Sequence, residues 1–218
     1  MASEFEFGRG EIAELLAELG KRLEARGIHA SIYVVGGAAI ATTFSNDRRL
    51  TQDIDAIFEP VGAVRTEVEH MAAERDLPRD WLNSKAAPWI PPPRLDREAT
   101  VNELAGLTVT TASPRYLLAM KMAAFRPADK IDLLDLFDEL GVTDPEQVAD
   151  IVDDVYGTDA IANPGRAETI LCARSVMADA KRIRASTAGR RPGVQGRDRA
   201  GRFASVRRDE SPIELAPE

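Results

Sequence analysis

Apolar residues recur along the first half of the chain at spacings that predict alternating helices and strands. A helical stripe predicts a helix from Glu11 to Arg26, which Gly27 ends. The β-branched and aromatic run Ser31–Val35 predicts a buried strand, and the alanine-rich run Ala38–Thr43 predicts a short helix. In residues 53–58, the alternate positions Ile54, Ala56 and Phe58 are apolar, which predicts a strand with one buried face.

Helical spacing dominates the second half of the chain. Residues 107–111 predict one more strand, and Ser113-Pro114 is a favourable cap and first turn for a helix that reaches about Phe125. We therefore predict the α+β class, with a small mixed sheet flanked by helices in residues 1–112 and a helical C-terminal half, residues 113–185, packed on it. The other predicted helices cover residues 61–75, 129–140, 145–156 and 166–184.

Composition restricts the class of protein further. Of the 218 residues, 44% are hydrophobic and 29% are charged, which is enough apolar material for one sizeable core. The single cysteine, Cys172, excludes an intramolecular disulfide and indicates a reducing compartment. The longest uncharged apolar stretch covers 10 residues, 32–41, against the roughly 20 that a membrane-spanning helix needs. With an acidic N-terminal segment in place of a signal peptide, these features predict a cytoplasmic protein and no membrane partner.

Charge is distributed unevenly along the chain. The net charge is −8, yet residues 181–208 contain ten bases and one acid, a net of +9. Residues 186–218 show almost no apolar periodicity, so we predict a disordered basic tail there. Such a tail can neutralise the phosphates of a nucleic acid. Alternatively, it is a solubilising feature of a chain that uses 23 Arg and 5 Lys.

Candidate chemistry lies in Gly36-Gly37 and in two acids of the second predicted strand. Glycines between a strand and a helix let the backbone approach a ligand, and the helix N-terminus offers free amides to an anion such as a triphosphate. Asp53 and Asp55 are two residues apart on a strand, so they project from one face. Two such carboxylates form a hard oxygen site suited to Mg²⁺. The glycine turn and the aspartate pair are each common alone, but a site that binds a triphosphate next to a metal ion requires both.

These residues resemble the motifs of the DNA polymerase β-like nucleotidyltransferases, and within that superfamily the AbiEii/MenT toxin group. Two downstream segments are similar to that group's helix-borne lysine and to its Arg-x-x-Asp-x-x-Asp element, so the resemblance covers about residues 32–140. The residues that carry it are Gly36, Gly37, Ala38, Arg49, Thr51, Asp53, Ile54, Asp55, Lys121, Arg126, Asp129 and Asp132.

The resemblance implies transfer of a nucleoside monophosphate from an NTP such as ATP to an acceptor hydroxyl, with Mg²⁺ or alternatively Mn²⁺. It implies that Asp53 and Asp55 bind the metal, and that Asp132 orients Lys121 or helps to deprotonate the acceptor. In toxin members the acceptor is often the 3′ end of tRNA, so RNA and a cognate antitoxin are the expected partners. The residues expected to bind the nucleotide are Gly36, Gly37, Ala38, Arg49, Thr51 and Lys121.

The chain departs from the superfamily pattern in two places. Many members have Gly-Ser where this chain has Gly36-Gly37, so no side-chain hydroxyl follows the first glycine. Members usually also place a third carboxylate on a later strand, and residues 107–111 contain none. The candidates for that third position are Asp132, Asp129, Glu98 and Glu103.

Several other features allow two interpretations. Lys121, in an apolar helix, must either reach solvent along its stem or meet an anion. Residues 129–159 contain eleven acids and one base, which form a solvated face or a docking surface for a basic partner. Trp81 and Trp89, near Arg79, Lys85 and Arg94, can stack on bases or pack against the sheet. His29 and His70 are not spaced like metal ligands.

Two classes of function follow. The first is a metal-dependent nucleotidyltransferase that acts on tRNA as the toxin of a toxin–antitoxin pair, with a protein or small-molecule acceptor as variants. The second is a catalytically silent protein of the same fold that acts as a partner-binding module. The intact pair of Asp53 and Asp55 favours the first class, and the missing strand carboxylate favours the second.

Overall fold

The computed structural model describes residues 5–44 and 50–188, and it confirms the α+β prediction. The strands within these ranges are β1 (Ala30–Val34), β2 (Ile54–Glu59), β3 (Leu82–Asn83), β4 (Thr100–Leu104) and β5 (Leu107–Thr111). The helices are α1 (Arg9–Ala25), α2 (Gly36–Thr43), α3 (Val61–Arg75), α4 (Pro114–Ala124), α5 (Lys130–Glu139), α6 (Pro145–Tyr156) and α7 (Arg166–Ala188). Short 3-10 turns occur at Ala87–Trp89, Pro93–Leu95 and Pro127–Asp129.

The five strands form one mixed sheet in the order β3-β2-β1-β5-β4. β2 runs antiparallel to β1 and parallel to β3, while β5 runs parallel to β1 and antiparallel to β4. The strand that carries Asp55 therefore has β1 on one side and the short edge strand β3 on the other. This order sets the surroundings of the candidate site.

Two helical layers complete the fold. α1 and α3 pack against each other and against strands β5 and β2, and the alternate residues Ile54, Ala56 and Phe58 are buried. α4 packs against α2, α5, α6 and α7, so the helical C-terminal half contacts the rest of the fold through α2. α2 follows the Gly36 turn, so α4 is packed close to the candidate site.

The structure contains two strands that the sequence pattern does not reveal, β3 and β4. β3 has two residues, too few to show a period. β4 is exposed at all but its last residue, so no buried face marks it in the sequence. α2 also begins two residues earlier than predicted, because Gly36 adopts a φ of 64° that closes the turn and lets the helix start at once.

The division at residue 112 stays a prediction, although α4 does begin at Pro114. α7 continues to Ala188, and the rest of the predicted basic tail lies outside the described residues. In the portion of the chain that the structure covers, no helix has the length and hydrophobicity to cross a bilayer. Cys172 is a partly buried free thiol in α7.

Candidate active site

The two acids of the predicted pair lie at the start of β2. Asp53 directly precedes the strand, and Asp55 is its second residue. The neighbouring Ile54 and Ala56 are fully buried, while both aspartates are partly exposed, so the predicted alternation is present. The charge of Asp53 raises the pKa of Asp55, which shows that the two carboxylates are close to each other.

The glycine turn after β1 lies directly against this pair. The amide of Val35 donates a hydrogen bond to the carbonyl of Asp55 at 2.9 Å, which anchors the turn to β2. A Cβ atom built on Gly36 would lie 3.2 Å from Oδ2 of Asp55, so the bare glycine leaves the backbone at the carboxylate. No side chain caps α2, so the first amides of the helix are available to an anion at this point.

Thr51 fills the space beside Gly37. A Cβ atom on Gly37 would lie 2.7 Å from Oγ1 of Thr51. That hydroxyl donates to the carbonyl of Asp53 at 2.9 Å, and Thr51 itself is held by paired backbone hydrogen bonds with Phe7, of 2.6 and 3.0 Å. Position 37 carries no hydroxyl, but the hydroxyl of Thr51, in the segment that precedes β2, lies beside it.

The pKa of Asp55 is raised above its ordinary value, and the surroundings of the side chain explain why. Burial is the main cause of its raised pKa, and the charge of Asp53 is the second. The positive charges of Arg126 and Lys85 act in the opposite direction. A bound cation would relieve both causes, because it would compensate the desolvated charge and the repulsion between the two carboxylates.

Asn83 is a site residue that the sequence analysis missed. It lies on β3, in register with Asp55, and only 8% of it is exposed. Its Nδ2 donates to Oδ2 of Asp53 at 3.0 Å, and its Oδ1 accepts the amide of Lys85 at 2.9 Å. The Asn83 side chain therefore orients Asp53 and fixes the start of the segment that carries Lys85. A two-residue edge strand leaves no signal by which the sequence could have revealed this.

Arg126 is the first residue of the Arg-x-x-Asp-x-x-Asp element, and the sequence assigns it no role. It follows the left-handed cap residue Phe125 at the end of α4 and is exposed. Because its charge acts on Asp55, Arg126 is a candidate cation for a phosphate bound at the glycine turn. Arg49, which was expected to bind the nucleotide, lies outside the described residues.

Lys121 forms a buried ionic cluster with α5. Its Nζ lies 2.6 Å from Oδ1 of Asp129 and 2.7 Å from Oδ2 of Asp132, and only 8% of the lysine is exposed. The sequence left open whether Lys121 reaches solvent or meets an anion. In the structure it meets the carboxylates of Asp129 and Asp132. The expected contact with a triphosphate stays a prediction.

The four candidates for a third acid do not join the pair. Glu103 is on β4, at the opposite edge of the sheet, three strand spacings or about 14 Å from β2, and Thr108 donates to it at 2.7 Å. Glu98 is exposed and precedes β4, while Asp129 and Asp132 hold Lys121. Among the described residues, no three His, Cys, Asp or Glu side chains are grouped to hold a metal. Two carboxylates still suit Mg²⁺, which commonly takes one or two together with water and substrate phosphates.

The remaining candidates divide between core and surface. Trp81 is fully buried and its indole donates to the carbonyl of Val68 at 3.2 Å, so it packs and does not stack on a ligand. Trp89 is 59% exposed. Nε2 of His29 forms a hydrogen bond with the hydroxyl of Thr108 at 3.0 Å.

Several acids of residues 129–159 form ion pairs within the chain. Arg166 pairs with Asp150 at 2.6 Å and with Asp153 at 3.4 Å, and Arg115 pairs with Asp154 at 2.5 Å. These contacts join α6 to α4 and to the start of α7. They reduce the charge that this acidic surface offers to an outside partner.

Comparison with known proteins adds a likeness of fold. No family model matches the chain, and no curated protein matches it. Among solved structures, the chain is similar to the crystal structure of an antigenic nucleotidyltransferase-like protein from Paracoccidioides brasiliensis. The two chains are 14% identical, the match covers 84% of this chain and 94% of the other, and the TM-score is 0.44. At this TM-score, the similarity does not bear on the chemistry of the candidate site.

Proposed function

We propose that the protein is a nucleotidyltransferase of the DNA polymerase β-like class that moves a nucleoside monophosphate from an NTP to an acceptor hydroxyl. The observation that carries this proposal is the contact between the glycine turn and the aspartate pair: Val35 donates to the carbonyl of Asp55, and a Cβ atom on Gly36 would lie 3.2 Å from Oδ2 of Asp55. A triphosphate seated on the free amides of α2 would then lie beside two carboxylates. That combination suits phosphoryl-group transfer, which depends on positioning and on charge stabilisation.

Each residue of the site has a role in this proposal. Asp53 and Asp55 hold Mg²⁺, or alternatively Mn²⁺, which stabilises the charge that develops on the phosphate oxygens. Gly36, Gly37 and Ala38 present backbone amides to the triphosphate. The other expected phosphate contacts come from Thr51, Arg126, Arg49 and Lys121. Asp132, which pairs with Lys121, is better suited to orient that lysine than to accept a proton from the acceptor.

The acceptor that we propose is RNA, with the 3′ end of tRNA first, in a protein that acts as the toxin of a toxin–antitoxin pair. This part depends on the resemblance of the motifs. One observation favours the second class of function, a silent partner-binding module: the residue beside Asp55 in the sheet is the amide Asn83 and not a third acid. Modification of a protein or a small molecule remains a variant of the enzymatic class.

The test of activity is label transfer by the purified chain. The protein is incubated with Mg²⁺, total tRNA and each NTP labelled at the α-phosphate, and in parallel with NTP labelled at the γ-phosphate. Attack of the acceptor oxygen on the α-phosphorus breaks its bond to the bridging oxygen, so the α-label joins the acceptor and the γ-label leaves in pyrophosphate. We expect this result for the wild type and none for Asp53→Ala. No α-label in RNA, protein or small molecules would favour the silent module.

Asn83 provides a second, independent test of the metal site. We expect Asn83→Ala to weaken Mn²⁺ binding by about tenfold, because partners that orient a metal ligand typically contribute 10- to 100-fold. Asn83→Asp would place a third acid beside Asp53, so it should destabilise the metal-free protein and make Mn²⁺ more stabilising. Calorimetric titration with Mn²⁺ and thermal melts measure both effects. Ser84→Ala, one residue further on, is the control, and equal Mn²⁺ affinity in Asn83→Ala would contradict the assigned role.

A further inference from the structure

A groove opens along the outer edge of β3 next to the aspartate pair. Its volume is about 320 Å³, within the range of small-ligand sites. Asn83 lines it and also donates to Asp53, so the groove and the metal site share a side chain. The residues that line it are Phe58, Arg65, Val68, Glu69, Arg79, Asp80, Leu82, Asn83, Ser84 and Lys85.

The sheet order puts this groove and the glycine turn on opposite sides of Asp55. The turn follows β1, which pairs with β2 on one side, and the groove follows β3, which pairs with β2 on the other. An in-line displacement needs the attacking group and the leaving pyrophosphate on opposite sides of the reacting phosphorus. The groove extends from the α3 face around the β3 edge to Asn83, which is in register with Asp55. If the triphosphate occupies the turn with its reacting phosphorus beside Asp55, an acceptor that reaches Asp55 around this edge lies opposite the leaving pyrophosphate.

The groove has the chemistry to hold a nucleotide of the acceptor. Within the described residues, neither Arg65 nor Arg79 forms an ion pair, and both line the groove and are exposed. Lys85 pairs with Asp80, so Glu69 is the acid that opposes these two arginines. Phe58, Val68 and Leu82 form the floor of the groove and are only 3–6% exposed, so the accessible part of the lining is mainly polar. A positively charged groove that follows the phosphate backbone is one of the features with which proteins hold a single strand of nucleic acid.

We propose that this groove is the acceptor subsite, in which Arg65 and Arg79 bind phosphates next to the 3′ end of an RNA strand. The inference rests on the proposed nucleotidyl transfer, because it uses the position of the triphosphate to assign the acceptor side. It goes beyond that function by naming where the acceptor binds and which two side chains recognise it.

The test uses the full chain and a short oligoribonucleotide that is labelled at its 5′ end and has a free 3′ hydroxyl. We expect Arg65→Ala/Arg79→Ala to weaken its binding about tenfold in fluorescence anisotropy. The slope of log K against log salt should fall by about 1.4, which is about 0.7 for each lost phosphate contact. Lys85 is left unchanged, because its charge also acts on Asp53 and Asp55.

The matched control is Arg174→Ala on α7, which pairs with Glu146 at 3.8 Å and belongs to the helical half. It should leave both the affinity and the salt slope unchanged. In the transfer assay, the double variant should raise KM for RNA and leave KM for the NTP unchanged. Unchanged RNA binding in the double variant, or label that reaches only protein or a small molecule, overturns the subsite. If the oligonucleotide binds as expected and no NTP is consumed, the proposed function fails and the groove remains an RNA-binding site.

Discussion

Asp55→Asn should lower kcat/KM for nucleotidyl transfer by about 10³-fold and at the same time make the metal-free protein more stable. The loss of activity follows from the proposed role of Asp55 as a charged metal ligand, since one such interaction supplies several kcal/mol to the transition state. The gain in stability follows from the raised pKa of Asp55, since burial and the charge of Asp53 both oppose its ionised form. An amide of the same shape removes both penalties.

The stability gain depends on pH in a defined direction. A carboxyl group whose pKa is raised by folding binds its proton more tightly in the folded state, so its penalty is complete above the folded pKa. The penalty disappears as the pH falls below the ordinary value of 3.8, where both states are protonated. Urea denaturation of the metal-free proteins should therefore show the advantage of Asp55→Asn at neutral pH and a shrinking difference in acid.

The control for this variant is Glu59→Gln, an exposed carboxylate on the same strand. It should change neither activity nor stability appreciably. Mg²⁺ should raise the melting temperature of the wild type and not that of Asp55→Asn, because a ligand stabilises only the state that binds it. Equal activity in Asp55→Asn would remove the basis for metal binding, whereas a loss of stability without metal would contradict the electrostatic description.

Lys121→Ala is expected to be the most destabilising single change, at about 3–5 kcal/mol in the free energy of unfolding. Its ammonium group lies within 2.7 Å of carboxylate oxygens of both Asp129 and Asp132, and the cluster is largely shielded from water. Removal of the lysine leaves two carboxylates close together, partly buried and without that cation. The destabilisation is measured by urea denaturation monitored by circular dichroism.

Two further variants separate the ionic cost from the packing cost. Lys121→Met keeps the apolar stem and leaves the acids in place, so it should remain strongly destabilised. Lys121→Met/Asp129→Asn/Asp132→Asn should recover most of the loss, because no unpaired buried charge is left. Lys130→Ala, which breaks the more exposed pair with Asp179, should cost about 1 kcal/mol or less. If the triple variant were as unstable as Lys121→Met, packing and not charge would explain the cluster.

The sequence predicted the parts of the site that depend on local pattern. Asp53, Asp55 and the Gly36 turn could be predicted because a two-residue period and a strand-to-helix glycine pair are visible in a few consecutive residues. A lysine in an apolar helix must reach solvent or meet an anion, so Asp132 or a triphosphate could be named as partners of Lys121, but the link between α4 and α5 depends on tertiary packing and could not be predicted from local pattern. The contact of Lys121 with Asp132 in the structure agrees with an orienting role, which stays a prediction until activity is measured.

The rest depends on strand pairing, which a short edge strand does not reveal. Asn83 is 30 residues from Asp53 in the chain and contacts it only because β3 aligns with β2. The groove that includes Arg65 and Arg79 likewise combines a helix, a loop and a strand edge. An acid on residues 107–111 would not lie next to the aspartate pair, because β5 lies on the far side of β1 from β2.

The paired hydrogen bonds between Phe7 and Thr51 make the glycine-turn side of the candidate site dependent on a distant stretch of chain. Phe7 is fully buried and precedes α1, so its loss would remove both an apolar anchor and the backbone partner that holds the threonine. A chain that lacked Phe7 would retain the strands and both aspartates, but the backbone of Thr51 would lose both of these hydrogen bonds. Shortening the chain past Phe7 would therefore disturb the Thr51 segment beside Gly37 and would also remove an apolar side chain from the core.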